Sequence, residues 1–128
     1  VAARLFEMGC YEISLGDTIG QGRPETIDAM LAAVLDVVPA GQLAGHYHDT
    51  AGRALANIDA SIARGVRVFD AAVGGLGGCP YAPGAAGNVA TEAVAAHLAA
   101  AGHQTGLDPA VLARAAAFAA SLRSGAPA

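Results

Sequence analysis

Tryptophan and lysine are absent from the 128 residues, and other large aromatic residues are scarce, with three Phe and three Tyr. The seven basic residues are all arginines and form no cluster, and 11 acidic residues bring the formal net charge to −4. Nucleic acids and anionic membrane surfaces both require concentrated positive charge. The composition therefore argues against either as a partner.

Long apolar runs are also absent, although alanine and valine raise the hydrophobic fraction to 54%. A bilayer span needs roughly 20 consecutive apolar residues, and the N-terminal residues lack the basic and apolar regions of a signal peptide. We therefore expect neither a membrane nor a secreted protein. Two cysteines, Cys10 and Cys79, are too few for a disulfide scaffold and suit a reducing cytoplasm.

Strand and helix patterns alternate along the chain, after residues 1–8, which are typical of the end of a helix whose start is missing. We therefore expect the sequence to be cut from something longer. Strands are predicted at residues 11–15, 42–48 and 66–73, and helices at residues 24–38, 50–65, 88–101 and 109–122. Such alternation indicates parallel strands joined by right-handed crossovers.

The order of these elements favours a barrel over a free-standing doubly wound sheet. A doubly wound sheet usually starts with a strand and a glycine-rich phosphate turn, whereas this chain starts with a helix end. We expect residues 1–128 to form part of one α/β domain. They would supply the C-terminal portion, about three of eight βα units, of a (β/α)8 TIM barrel.

Polar residues follow the predicted strands, where a barrel gathers its chemistry. His46 and His48 are two residues apart on one strand, so their side chains share a face, roughly 7 Å apart at Cα, and can converge on one cation. The alternative is two histidines satisfied by backbone carbonyls. Asp17 is either an ordinary turn residue or an inward-facing carboxylate.

The glycine-rich loop of residues 74–87 contains Cys79 and ends beside Asn88. Loops of this length without secondary structure are typical of lids and binding sites, so Cys79 is either a mobile reactive thiol or a small buried residue. Asn88 is placed to cap the next helix, but its amide oxygen can also ligate a hard cation. Cys10 is expected to be buried.

Three segments resemble 3-hydroxy-3-methylglutaryl-CoA lyases: residues 11–20 (YEISLGDTIG), 45–50 (GHYHDT) and 74–92 (GGLGGCPYAPGAAGNVATE). The similarity keeps the same order and spacing from about Gly9 to Gly106. The GLGGCPYA segment is specific to these lyases, whereas HxHD alone indicates only the wider metallolyase superfamily of Claisen-type synthases and aldolases.

The resemblance implies that His46, His48 and Asn88 ligate a divalent cation, Mg²⁺ or Mn²⁺, that Cys79 is catalytic and that Asp17 belongs to the active-site network. It also implies a CoA thioester substrate, cleaved to acetoacetate and acetyl-CoA. Cys79 would protonate the acetyl-CoA enolate, and His46 would carry the hydroxyl proton. The intact enzyme would be a homodimer, cytoplasmic in a bacterium or mitochondrial in a eukaryote.

The chain departs from the family pattern in two ways. Ala71 and Ala72 replace a small hydroxyl pair, and nothing matches the N-terminal Arg-Asp-Gly segment whose aspartate is the family's fourth ligand. We therefore expect the 128 residues alone to be inactive. The alternatives are a non-catalytic remnant or partner-binding fragment, and a related Claisen-type aldolase or synthase.

Overall fold

The structure, a computed structural model, describes residues 1–77 and 86–124, with side chains through residue 122. This part of the chain contains five α-helices and three β-strands, which alternate up to α4 and are followed by α5. In order they are α1 (Ala2–Glu7), β1 (Ile13–Asp17), α2 (Pro24–Leu35), β2 (Leu43–Tyr47), α3 (Ala54–Ala63), β3 (Val68–Asp70), α4 (Thr91–Ala100) and α5 (Pro109–Ser124). Single 3-10 turns lie at Ala40–Gln42 and Val73–Gly75.

The strands of the described residues form one parallel sheet in the order β1-β2-β3. This arrangement confirms the predicted parallel α/β units. The register pairs Gly16 of β1 with His46, and His46 with Asp70 of β3. The last residues of the three strands therefore lie side by side at one end of the sheet.

The core lies between the sheet and helices α2, α3 and α4. Apolar residues repeat at helical spacing on α2, and two of them, Ile27 and Leu31, are buried. Ile58 of α3 is fully buried and belongs to the same cluster as Ile13 and Leu43 of the strands. The helices are held in place by this apolar cluster, which does not occupy the ends of the strands. Polar side chains can therefore lie there.

Helix α2 begins where the sequence predicts, because Pro24 occupies its first turn. It ends at Leu35, whereas the periodic pattern predicted residue 38. Helix α3 begins only at Ala54, whose backbone N–H donates a hydrogen bond to the Asp49 side chain at 3.0 Å. Strand β3 is shorter than predicted, since the chain turns after Asp70.

One expectation about the surface was wrong. Cys10 is exposed rather than buried, because it follows the end of α1 and precedes the first residue of the sheet. Also at the surface, His97 Nε2 lies 2.7 Å from Asp59 Oδ1 and links α4 to α3. None of the helices within the described residues has the length and hydropathy of a membrane span.

Tyr47 is buried on the helix side of β2 and joins the sheet to α3. Its hydroxyl lies 2.7 Å from Ser61 Oγ, which itself donates to the Asn57 carbonyl at 2.8 Å. Because the Ser61 proton is already used, Tyr47 must be the donor of this pair. Burial raises the pKa of Tyr47 above its usual value, in spite of the bond to Ser61.

Replacing Tyr47 by phenylalanine should lower the free energy of unfolding by about 1 kcal/mol, because Ser61 Oγ loses a buried hydrogen-bond donor. Urea denaturation followed by circular dichroism measures the loss. Tyr11→Phe is the matched control, since this ring is 85% exposed, and we expect a change of less than about 0.5 kcal/mol.

The difference between parent and Tyr47→Phe should narrow as the pH rises above about 10. The pKa of Tyr47 is higher in the folded chain than in the unfolded chain, so its stabilising effect is complete below the unfolded pKa and is lost at higher pH. Phenylalanine cannot ionise, so the free energy of unfolding of Tyr47→Phe does not fall for this reason at high pH. Equal stability of the two proteins at neutral pH would contradict the role given to the hydrogen bond.

Candidate functional site

The chain after the glycine-rich loop crosses the carboxyl end of β2 and builds one wall of the candidate site. His48 and Asn88 form an antiparallel bridge there. Val89 N–H donates to the Tyr47 carbonyl at 3.1 Å, and Asp49 N–H donates to the Gly87 carbonyl at 3.1 Å. Asn88 is therefore fixed by backbone hydrogen bonds beside the second of the two histidines.

His46 projects from β2 towards the face of the sheet that also carries Ser14 and Asp70. Its Nδ1 donates a hydrogen bond to Asp70 Oδ1, and Ser14 Oγ donates to Asp70 Oδ2 at 3.4 Å. The side chain of His46 is 30% exposed. With Nδ1 engaged by a carboxylate, Nε2 is the nitrogen that faces other ligands.

His48 is the buried member of the histidine pair, with 6% of its surface exposed. The two rings meet edge to face, with centroids 5.2 Å apart and planes at 60°. This contact confirms that both side chains leave β2 on one face. Nδ1 of His48 is buried without a hydrogen-bond partner among the described residues, so the backbone carbonyls expected under the alternative interpretation do not satisfy it.

Asn88 does not cap α4, and this default expectation was wrong. The helix begins at Thr91 with Ala90 in the cap position, because residues 88–90 are held in extended backbone by the bridges to β2 and to Ala72. The Asn88 amide nitrogen donates to the Leu76 carbonyl at 3.0 Å. Since a carbonyl only accepts, the amide orientation is set, and Oδ1 is buried without a partner among the described residues.

Gly77 allows this approach of Asn88 to the loop backbone. Its φ of +90° is in the region that favours glycine, and a Cβ there would lie 2.8 Å from Asn88 Nδ2. Any larger residue would push the amide out of its hydrogen bond with Leu76. At least one glycine of the predicted loop thus positions a candidate ligand.

Within the described residues, no hydrogen bond joins the Asp17 carboxylate to the histidines or to Asn88. Its carboxylate accepts hydrogen bonds from the backbone N–H groups of Gln21, at 3.1 Å, and Gly22, at 2.8 Å, and so closes the turn after β1. Its backbone carbonyl accepts from His48 N–H at 3.3 Å. Asp17 therefore supports the strand end that carries His48, and its catalytic role stays a prediction.

The three remaining candidates fit a divalent cation. Two imidazoles and one amide oxygen form a mixed nitrogen and oxygen donor set. His48 and Asn88 each carry a buried polar atom without a hydrogen-bond partner among the described residues. Residues 1–77 and 86–124 contain no group of three or more His, Cys, Asp and Glu side chains arranged for a metal. Cys79 lies outside the described residues.

Asp70 is the site residue that the sequence analysis missed. It was read as part of a longer third strand, whereas it is the last residue of β3 and lies beside His46 in the parallel register. The available signal was its place after the short apolar run Val68–Phe69, at the strand end where barrel chemistry gathers. The register could not be read from the sequence of either strand alone.

Comparison with known proteins agrees with this geometry. A sequence model of the HMGL-like family matches residues 1–119. The chain is 56% identical over 108 residues to hydroxymethylglutaryl-CoA lyase from Pseudomonas mevalonii, covering 84% of this chain and 36% of that protein. It therefore spans little more than a third of that relative's length.

Solved structures give the same result. The HMG-CoA lyase from Brucella melitensis superposes with a TM-score of 0.93 at 60% identity, covering 95% of this chain and 43% of that one. The HMG-CoA lyase from Acinetobacter baumannii, solved with coenzyme A and 3-methylmalate, has a TM-score of 0.83 at 37% identity over 90% of this chain and 38% of that one. The sheet and helices described above are thus part of the TIM-barrel fold of these lyases, and the chain belongs to the HMGL-like family.

Proposed function

We propose that this chain supplies the C-terminal part of the active site of a lyase that cleaves 3-hydroxy-3-methylglutaryl-CoA to acetoacetate and acetyl-CoA. Three buried side-chain polar atoms lack a partner among the described residues, and two of them, His48 Nδ1 and Asn88 Oδ1, lie on the backbone-paired segments at the strand ends and carry the proposal. An unpaired buried polar atom costs about 1–3 kcal/mol. Such a cost is explained when a ligand of the working enzyme completes the bonding.

In this proposal His46, His48 and Asn88 hold one divalent cation, Mg²⁺ or Mn²⁺, together with a carboxylate from another part of the enzyme. Such a cation supplies Lewis-acid polarisation of substrate oxygens. The backbone bridge between His48 and Asn88 presets two of the ligands. The bond from His46 Nδ1 to Asp70 leaves Nε2 as the nitrogen available for binding.

The difference in burial between the histidines suggests different roles. His48 is almost fully enclosed, whereas the His46 side chain is 30% exposed. The family resemblance makes His46 the less tightly held ligand, while the enclosed His48 is suited to a fixed ligand. We assign to His46 the removal of the proton from the C3 hydroxyl of the substrate. Because Nδ1 already carries a proton, Nε2 must be released from the cation to accept this one.

Cleavage of the C2–C3 bond then needs no reactant other than the substrate and the enzyme. Loss of the hydroxyl proton lets the C3–O electrons form the ketone of acetoacetate, and the C2–C3 bond breaks. Its electron pair leaves as the enolate of acetyl-CoA, which takes a proton at C2. From the sequence resemblance we assign this proton to the Cys79 thiol, whose reference pKa is about 8.5.

The coenzyme A bound in the Acinetobacter baumannii structure supports a CoA thioester as the substrate class. The proposal also includes a homodimer, a place in leucine degradation or ketone body formation, and a cytoplasmic location in bacteria or a mitochondrial one in eukaryotes. These three parts rest on the family resemblance.

The function is tested in a chimera in which residues 1–119 replace the matching segment of the Pseudomonas mevalonii lyase. We expect the chimera to release acetoacetate and acetyl-CoA in equal amounts, because it joins the three candidate ligands to the rest of a barrel. The 128-residue chain alone should show no turnover, since it spans 36% of that relative. A folded chimera without activity, or turnover by the chain alone, would contradict this prediction.

Cation binding is tested in the same chimera with His48→Ala. We expect the affinity for Mn²⁺, followed by calorimetric titration, to fall by more than the roughly 10–100-fold that substitutions around a metal site cause. His97→Ala is the matched control, since this histidine joins α4 to α3 through Asp59 and does not lie at the strand ends. Equal Mn²⁺ affinity of the parent chimera and His48→Ala would show that the ligand assignment is wrong.

The role of Cys79 is tested by serine substitution, because a hydroxyl is a far weaker acid than a thiol. We expect Cys79→Ser in the chimera to keep its cation and lose at least about 100-fold in kcat, in line with general acid catalysis. Cys10→Ser is the control, since Cys10 is exposed and should tolerate the change. Activity within a few-fold of the parent at equal Mn²⁺ occupancy would remove Cys79 from the mechanism.

A further inference from the structure

We infer that Asp70 is a positioning residue that holds the His46 imidazole in its Nδ1–H tautomer and thereby aims Nε2 at the cation. This inference rests on the proposed function for its second half, because the cation belongs to that proposal. Its first half, the tautomer, depends only on the contact between the two side chains. The two halves can therefore be tested separately.

The first argument is the parallel register of β2 and β3. His46 and Asp70 are paired residues on neighbouring strands, so their Cβ atoms leave the same face of the sheet. Nδ1 is the ring nitrogen nearer to the backbone, and it is the atom that contacts Asp70 Oδ1. The pairing fixed by the backbone thus selects which nitrogen meets the carboxylate.

The second argument is that the Asp70 carboxylate is itself oriented. Ser14 Oγ, on β1, donates to Asp70 Oδ2 at 3.4 Å, while Oδ1 accepts from His46. The carboxylate therefore spans the full width of the described sheet, with one contact to each of the other two strands. Its two oxygens have different partners, which restrains rotation of the group.

The third argument is chemical. A neutral imidazole carries one N–H and one lone pair, and an ionised carboxylate can only accept. Asp70 therefore favours the form with the proton on Nδ1 and the lone pair on Nε2. An outer carboxylate of this kind also raises the basicity of the nitrogen that ligates a metal, and removing it commonly weakens metal binding about 10–100-fold.

A second histidine–aspartate pair provides the matched control. His97 of α4 lies 2.7 Å from Asp59 of α3 through Nε2, with exposures of 31% and 53%, close to the 30% and 55% of His46 and Asp70. This pair connects two helices and touches none of the candidate ligands. Asp59→Ala thus removes the same kind of contact at the same degree of exposure, away from the strand ends.

The experiment uses the chimera with histidine-selective ¹⁵N labelling, and His46→Gln identifies the His46 signals. In the metal-free parent, at a pH where the ring is neutral, we expect ¹⁵N shifts of an Nδ1–H imidazole. Asp70→Ala should give a mixture of tautomers and about a 10-fold or greater loss of Mn²⁺ affinity. Asp59→Ala should change neither the His46 tautomer nor the Mn²⁺ affinity.

Asp70→Asn separates positioning from mere packing. Its amide oxygen can still accept from Nδ1–H, so this variant should restore the tautomer and most of the Mn²⁺ affinity lost in Asp70→Ala. If Asp70→Ala does not fold, Asp70→Asn still tests the inference, because the inference requires this variant to keep the Nδ1–H tautomer and a mixture of tautomers would contradict it.

The inference would be overturned if the ¹⁵N shifts of His46 were unchanged in both Asp70 variants. It would also be overturned if those shifts changed while the affinity for Mn²⁺ stayed at the parental value. A parent chimera that binds no Mn²⁺ would contradict the proposed function and the cation half of this inference together. In that case the ¹⁵N shifts would still decide whether Asp70 sets the tautomer. Failure of the proposed function and failure of the Asp70 assignment therefore give different results.

Discussion

The backbone pairing between the end of β2 and residues 87–89 is the constraint on which the candidate site depends. Tyr47 and Asp49 both exchange hydrogen bonds with this segment, on either side of the bridge between His48 and Asn88. Without it, Asn88 would be an ordinary residue before a helix, separated from the histidines by the whole of β3 and the glycine-rich loop. Because of this pairing, residues 87–89 form one side of the candidate site. The pairing also explains why α4 begins only at Thr91.

The second constraint is the parallel register, which divides the polar groups between the two faces of the sheet. His46, Asp70 and Ser14 meet on one face, whereas Tyr47 points to Ser61 of α3 on the other. This division follows from the alternation of side chains along each strand, because successive residues point to opposite faces of the sheet. The face packed by helices provides stability, and the opposite face is left for ionisable groups that would be costly to bury in the core.

These two constraints differ in how far the sequence reveals them. Turn residues, helical periodicity and strict alternation identify the three βα units, because each signal is local to its own element. The pairing of His46 and His48 also follows from local spacing, and the structure confirms it. The contact between His46 and Asp70 depends on register, and the bridge from Asn88 to His48 depends on where a long loop returns. Both arise between segments distant in sequence, which is why Asp70 was missed and why the local sequence favoured a helix cap for Asn88 before the family resemblance was considered.

Burial distinguishes His48 and Asn88 from His46. Neither the spacing of these residues nor the family motif shows this difference. His48 Nδ1 and Asn88 Oδ1 are enclosed and unpaired, so each carries an uncompensated desolvation cost in the described chain. His46 is partly exposed and paired with a carboxylate, so it carries no comparable cost. A site that held three equivalent ligands would show the same deficit at all three. The observed asymmetry instead separates two buried groups that lack a partner among the described residues from one that is partly exposed and paired with a carboxylate.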